Sequence, residues 1–401
     1  MQVAITGLGC VSPFGVGTRA LWEAQLSRRT AFERASLDAD ALPACGPILA
    51  ARVPPFAPAE ILGRKGLRSI NLESQVLLVA AILALRDAGR EPGAVEPSSA
   101  GIFVGTTRAG MDDYLRFHVE RLVWGPARVT PTRGPNTGFN APASHAAIRL
   151  GFHGPNMTFA SRTASSLDAL AHAADFIRRG RAQVMIVGGV DPLSYAVARS
   201  LQADDRVPSG PPRPYDIHRT LPVPGEGAVV MVLESLASAR ARGGRVLATV
   251  GAWSTAFEPG GPGALAAAGA RSMRGALARE ASAGVDAIFS SAAGDRATDA
   301  AEAVGLAEAL GGDLERTPVC AVKGCAGEWD GASGGLQVLV AALSIAEQTV
   351  PPAVGTEVVD PALPPLFLPR EPLAHPIRRA AVHVLDPSGH SSSLILQRPS
   401  D

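Results

Sequence analysis

Apolar residues recur along the chain in two rhythms. Short, near-continuous apolar runs bounded by glycine or charge predict β-strands: QVAITGLG (2–9), AGIFVG (100–105), QVMIVGGV (183–190) and AVVMVLE (228–234) in the first half. RVLATVGAW (245–253), VDAIFS (285–290), TPVCAV (317–322), AAVHVLD (380–386) and SSLILQ (392–397) do so in the second. Between them LESQVLLVAAILALRDAG (72–89), DAAEAVGLAEALG (299–311) and GLQVLVAALSIAE (335–347) carry apolar residues at helical spacing. This alternation predicts an α/β protein with helix-covered, mainly parallel sheets. The two halves, 1–240 and 241–401, open alike on a strand-like segment and each carries a buried-looking helix later, which points to an internal duplication. PSGPPRPYD and EPGGPGA read as loops within this plan.

Composition narrows the choices. The 401 residues are 46% hydrophobic and 18% charged, enough to bury a large core, and Lys plus Arg balances Asp plus Glu at 37 each. No global charge points to nucleic acid or an anionic membrane as a partner. The longest apolar run, Val76 to Leu85, is too short to span a bilayer, and MQVAITGLGCVSPFG lacks the layout of a secretory leader. Cys10, Cys45, Cys320 and Cys325 show no metal-type spacing, so reduced thiols of a cytoplasmic protein are expected, with no metal or cofactor.

The stretch SRTASSLDALAHAADFIRRG bears most directly on chemistry. From Ser165, residues Leu167, Leu170, Ala171, Ala174 and Ile177 make one apolar helical face, which Gly180 ends. Ser165 or Ser166 could supply capping oxygens. Thr163 lies at the mouth of this helix, where free N–H groups and the positive end of the dipole favour an anion. Such a mouth suits a nucleophile; a capping hydroxyl is the plainer use.

GPNMTFASRTASSLDALAHAADFIRRGRAQVMIVGG resembles the nucleophile segment of β-ketoacyl synthases, above all those of bacterial type II polyketide pathways. VAITGLGCVSPFG, GRKGLRSINLESQVLLVAAILALRDAG and RPYDIHRTLPVPGEGAVVMVLE are similar to further blocks of that family, in order, across nearly the whole chain. The resemblance implies a thiolase-like fold: two similar βαβαβ-type halves in a layered α-β-α-β-α architecture. It also implies a cysteine, two histidines and an oxyanion hole, and here the chain departs four times. A gap-free count puts Thr163 on the cysteine position, and threonine is a poor nucleophile without a base. Ser291 falls on the first histidine. Lys323 and Gly327 of the Lys-x-x-x-Gly-His pattern are kept, but Glu328 replaces the histidine and is expected to pair with Lys323. Pro387, in Asp-Pro-Ser-Gly, stands where the Gly-Phe-Gly-Gly loop donates an N–H, and proline has none.

With no catalytic residue expected, the chain resembles a chain length factor: a non-condensing subunit that pairs with a cysteine-bearing ketosynthase and shapes the tunnel setting polyketide or polyene length. Intermediates would arrive on the phosphopantetheine arm of an acyl carrier protein. Tyr114, Phe117, Trp124 and Phe139 are candidates to line that tunnel or the interface, or else ordinary core aromatics. Two other readings stand beside this one. A ketosynthase-like acyltransferase or malonyl decarboxylase would use Thr163 with Ser165 or Glu328, and a homodimeric carrier-protein binder would need neither. His172 and His390 fall outside the catalytic positions, His390 as a loop residue.

Overall fold

The computed structural model describes residues 1–37, 44–91, 93, 95–280 and 284–400. Ten strands build its main sheet: β1 Val3–Ser12, β2 Ala100–Gly105, β3 Asn156–Phe159, β4 Val184–Asp191, β5 Gly227–Ser235, β6 Ala248–Phe257, β7 Ala287–Phe289, β8 Val319–Cys320, β9 Arg379–Leu385 and β10 His390–Gln397. Seven helices of ten or more residues occur among the described residues: α1 Leu72–Asp87, α2 Met111–Trp124, α3 Ala141–Leu150, α4 Ser165–Arg178, α5 Pro262–Leu277, α6 Arg296–Leu310 and α7 Ser333–Glu347.

The strands lie in the order β8-β7-β9-β10-β6-β1-β5-β4-β2-β3, with the short segment Gly15–Val16 added on β1. Each half therefore runs third, second, fourth, fifth, first from its outer edge, and the two first strands meet antiparallel through Val3–Ile5 and Ala248–Val250. The sheet is mixed, not mainly parallel. β2 runs parallel to β3 and β4, and β7 to β8 and β9, whereas the pairs β4–β5, β5–β1, β9–β10 and β10–β6 are antiparallel. The reason is connectivity: β9 and β10 are joined by a tight turn that reverses direction, which no crossover helix could do.

Burial explains the layers. Along β5, Val229, Met231 and Leu233 face one core while Ala228, Val230 and Val232 face another, the period-2 alternation of a sheet covered on both sides. The first core also takes in α4 and α7, so these two helices form a central layer between the halves. α1 and α3 cover the outer face of the first half; α5 and α6 cover that of the second. Asn71 caps α1 through Ser74 N (3.3 Å), and Asp295 caps α6 through Thr298 N (2.8 Å). Glycine makes the tightest contact possible: a Cβ on Gly9 would lie 1.9 Å from the Ala80 carbonyl oxygen, so α1 rests on bare β1 backbone. Among the described residues, no helix is long and apolar enough to cross a membrane.

Candidate functional site: a filled anion seat at the mouth of a central helix

Thr163 sits in a 3₁₀ turn, Arg162–Ala164, that runs straight into α4. Its predecessor Arg162 holds φ at 54°, a left-handed conformation costly for a side-chain-bearing residue. Thr163 is 6% exposed, and both its donors point at one acceptor. Its Oγ1 donates to Asp386 Oδ2 at 2.9 Å and its backbone N–H donates to the same oxygen at 3.3 Å. Arg162 Nε donates to the same carboxylate at 3.0 Å, and Ser388 N closes it from the turn at 2.8 Å. The anion seat at the helix mouth is thus occupied by a side chain of the other half.

Asp386 was not singled out in the sequence; Pro387 was. Pro387 is exposed at the tip of the β9–β10 turn, and the residue that reaches Thr163 is its neighbour. The turn is fixed by Asp386 N donating to His390 O (2.8 Å) and Gly389 N to Asp386 O (3.0 Å). The signal available beforehand was an acid in place of the first glycine of the Gly-Phe-Gly-Gly loop. Burial pushes the Asp386 carboxyl up, but hydrogen bonds from Ser388, the Arg162 charge and the Thr163 hydroxyl outweigh it and hold the group below the ordinary aspartate range. It is ionised at neutral pH and a weak base.

The remaining predicted positions connect to the same place. Ser291, 4% exposed, donates through Oγ to Leu385 O at 3.3 Å, one residue before Asp386, and accepts from Lys323 Nζ at 3.3 Å. Lys323 is 1% exposed and pairs with Glu328 Oε2 at 2.7 Å. Ser291, Lys323 and Glu328 therefore form one hydrogen-bonded chain, which reaches the Thr163–Asp386 pair through the backbone of Leu385. Beneath it, Glu302 accepts from Ser291 N (2.7 Å) and Tyr215 OH (2.8 Å), and Asp299 accepts from Ala293 N and Gly294 N, both at 3.1 Å. These two acids clamp the 291–294 loop; burial raises Asp299 to about 6 and Glu302 to about 7.

Neither serine after Thr163 caps α4. Ser165 already belongs to the helix and turns its hydroxyl back to Arg162 O at 2.5 Å, while Ser166 Oγ accepts from Gly335 N of α7 at 2.7 Å. His390 is not a free loop residue: its Nε2 lies 3.2 Å from Asp168 Oδ2, which also accepts from Ser161 Oγ at 2.6 Å. The hydrogen bond to Asp168 raises the imidazole pKa against burial. His383 is fully buried with Nδ1 on Ser393 Oγ (2.9 Å), and burial lowers it to about 4, so it is neutral. His172 stacks on Phe159 at 5.3 Å. All four cysteines are buried.

The four aromatic candidates are not core residues. α2 buries none of its residues; Tyr114, Trp124 and Phe139 are 48%, 54% and 44% exposed, and Phe117 is half-buried beside His118. Leu122 and Val123 extend the same apolar surface.

Comparison with known proteins defines the class. Residues 1–239 match the β-ketoacyl synthase N-terminal domain and residues 246–357 the C-terminal domain; the chain belongs to the β-ketoacyl synthase family. The tetracenomycin polyketide synthase ketoacyl synthase beta subunit of Streptomyces glaucescens is 30% identical, covering 99% of this chain and 98% of its own. The ishigamide ketosynthase/chain length factor superposes with a TM-score of 0.89 at 24% identity, covering 100% of this chain and 99% of that one. A type II polyketide synthase acyl-carrier protein in complex with its hexaketide-bound ketosynthase gives 0.85 at 22%, covering 99% of each. The fold is the thiolase-like ketosynthase fold.

Proposed function

We propose that this chain is the non-condensing partner of a cysteine-bearing β-ketoacyl synthase, a chain length factor that shapes the tunnel for a polyketide or polyene chain delivered by an acyl carrier protein. It is built from two halves joined near residue 240 and acts in the cytoplasm. One observation carries the reading: the ionised Asp386 carboxylate accepts both the N–H and the O–H of Thr163. An oxyanion cannot share that seat with a carboxylate, and losing a single oxyanion donor costs roughly a hundred- to a thousand-fold in rate. The same ionised state speaks against Thr163 as an acyl-transfer nucleophile, because the carboxylate touching it has too little proton affinity to act as its base.

A surface suited to a partner supports the pairing. β3 ends the sheet with its outer edge unpaired among the described residues, and Asn156 and Met157 on it are exposed. Elsewhere on the surface, Tyr114, Leu122, Val123 and Trp124 of α2 are exposed. Unpaired strand edges and apolar patches of this kind are sites of association.

The test is co-expression with a cysteine-bearing type II polyketide ketosynthase. A one-to-one complex that condenses malonyl thioesters is expected, with activity kept in Thr163→Ala and lost when the partner's cysteine is replaced. Carbon–carbon bond formation by this chain alone would overturn the proposal.

A further inference from the structure

Between the N-terminal end of α1, the segment Arg52–Phe56 and the end of β4 lies a half-open cavity of about 450 Å³. Its walls are apolar, among them Val53, Phe56, Leu72, Val76 and Leu193. Its charged lining is one-sided: Glu33, Glu73, Asp191 and Glu226 against Arg52. None of the reactive positions above lines it, nor does Tyr114, Phe117, Trp124 or Phe139.

The carboxylates are held in place. Glu226 accepts from Val53 N and Leu193 N, each at 3.0 Å, one on each oxygen. Glu73 Oε1 accepts from Gly110 N at 2.8 Å and Asn71 Nδ2 at 2.7 Å. Asp191 takes Thr106 Oγ1, the N–H groups of Thr107 and Arg108, and Gly331 N. Every one of these donors is neutral, so the acceptors are fixed while their charge is only partly answered. Burial accordingly lifts Glu73 to about 7, with Asp113 and Asp112 of α2 pushing the same way, and burial raises Glu226 although Arg52 opposes it. Buried carboxylates of this sort gain from a cation, and acceptors already ordered need no reorganisation to receive one.

We propose that this cavity binds a primary ammonium carried on a short hydrocarbon chain, the ammonium between the Glu73 and Glu226 carboxylates and the chain against Phe56, Val76 and Leu193. The volume suits a ligand of roughly six to eight heavy atoms with room for water. Charge complementarity selects the head and the apolar wall selects the tail. The site is independent of Thr163 and of pairing with a ketosynthase.

Calorimetric titration of the full chain with hexylammonium, hexanol and hexanoate at pH 8 tests this. Hexylammonium should bind at least tenfold more tightly than hexanol, with hexanoate silent. Glu226→Gln should weaken hexylammonium at least fivefold, and Leu72→Trp, at an exposed position of the cavity lining, should abolish binding while leaving thermal unfolding unchanged. Equal binding of hexanol, undetectable binding of hexylammonium, or full binding by the folded Leu72→Trp protein would each overturn the assignment.

Discussion

A thiol placed at the mouth of α4 reads directly what Asp386 does there. In Thr163→Cys the sulfur takes the place of an oxygen 2.9 Å from Asp386 Oδ2. Two like charges about 4 Å apart repel by roughly 4 kcal/mol at an effective dielectric near 20, or about 3 pKa units. Arg162, already committed to the same carboxylate and more than half exposed, offsets part of this, leaving roughly 2 units. The introduced thiol should therefore titrate near 10, although a helix mouth normally lowers such a group. Thr163→Cys combined with Asp386→Asn keeps the shape and removes the charge, and its thiol should return to about 8 or below. The assay is the pH dependence of alkylation by iodoacetamide, with the parent chain, whose four cysteines are buried, as the background. At pH 7 the thiolate population rises about a hundredfold in the double variant, but a less basic thiolate is about tenfold slower, so the net rate gain is near tenfold. If the two variants share one inflection, the carboxylate does not govern the site and the case for a silenced seat fails.

Two further outcomes follow from geometry elsewhere. The pKa of His390 is raised in the folded state, first by its hydrogen bond to Asp168 and further by the charges of Asp168 and Asp386. Its stabilisation is therefore complete below the unfolded value near 6.5 and is lost as pH rises through the higher folded value. His390→Ala should lower stability by roughly 1–2 kcal/mol at pH 5.5 and by clearly less at pH 9, read from urea midpoints; an equal loss at both would remove the charged pair from the account. Gly9→Ala should cost about 3 kcal/mol or more, because its Cβ would meet the Ala80 carbonyl backbone at 1.9 Å, whereas Gly134→Ala, with open space around it, should change stability by less than about 0.5 kcal/mol in the same assay.

The strands were legible because apolar runs such as 183–190 and 228–234 are buried on both faces, but for the same reason their pairing direction was not. β5 is buried along Gly227–Glu234 and offers no polar face to mark it as antiparallel. Among site residues, the Lys323–Glu328 pair was legible because both lie within one short segment. Asp386 and the His390–Asp168 pair were not, because their partners are 223 and 222 positions away in the chain and meet only when the β9–β10 turn folds over α4. Reading Ser165 as a cap failed on a one-residue shift: the turn at Arg162–Ala164 starts the helix earlier, so the serine hydroxyl has a carbonyl to bond instead of a free N–H.

The way the hydrogen bonds of the candidate site close on one another says more than its residues taken singly. Catalytic groups lost one at a time, with nothing taking up their work, would leave buried donors and acceptors without partners, and such atoms are costly at about 1–3 kcal/mol each. No such atom belongs to Thr163, Ser291, Lys323, Glu328 or Asp386. The residues answer one another: the acid at 386 accepts from the N–H and O–H at 163, the serine at 291 accepts from Lys323, and the glutamate at 328 pairs with that lysine. Removing one member of a buried pair costs about 3–5 kcal/mol, so the set resists change at any single position. A cysteine at 163 alone would thus place a thiol beside a buried, ionised carboxylate, whereas pairing it with Asp386→Asn removes that charge.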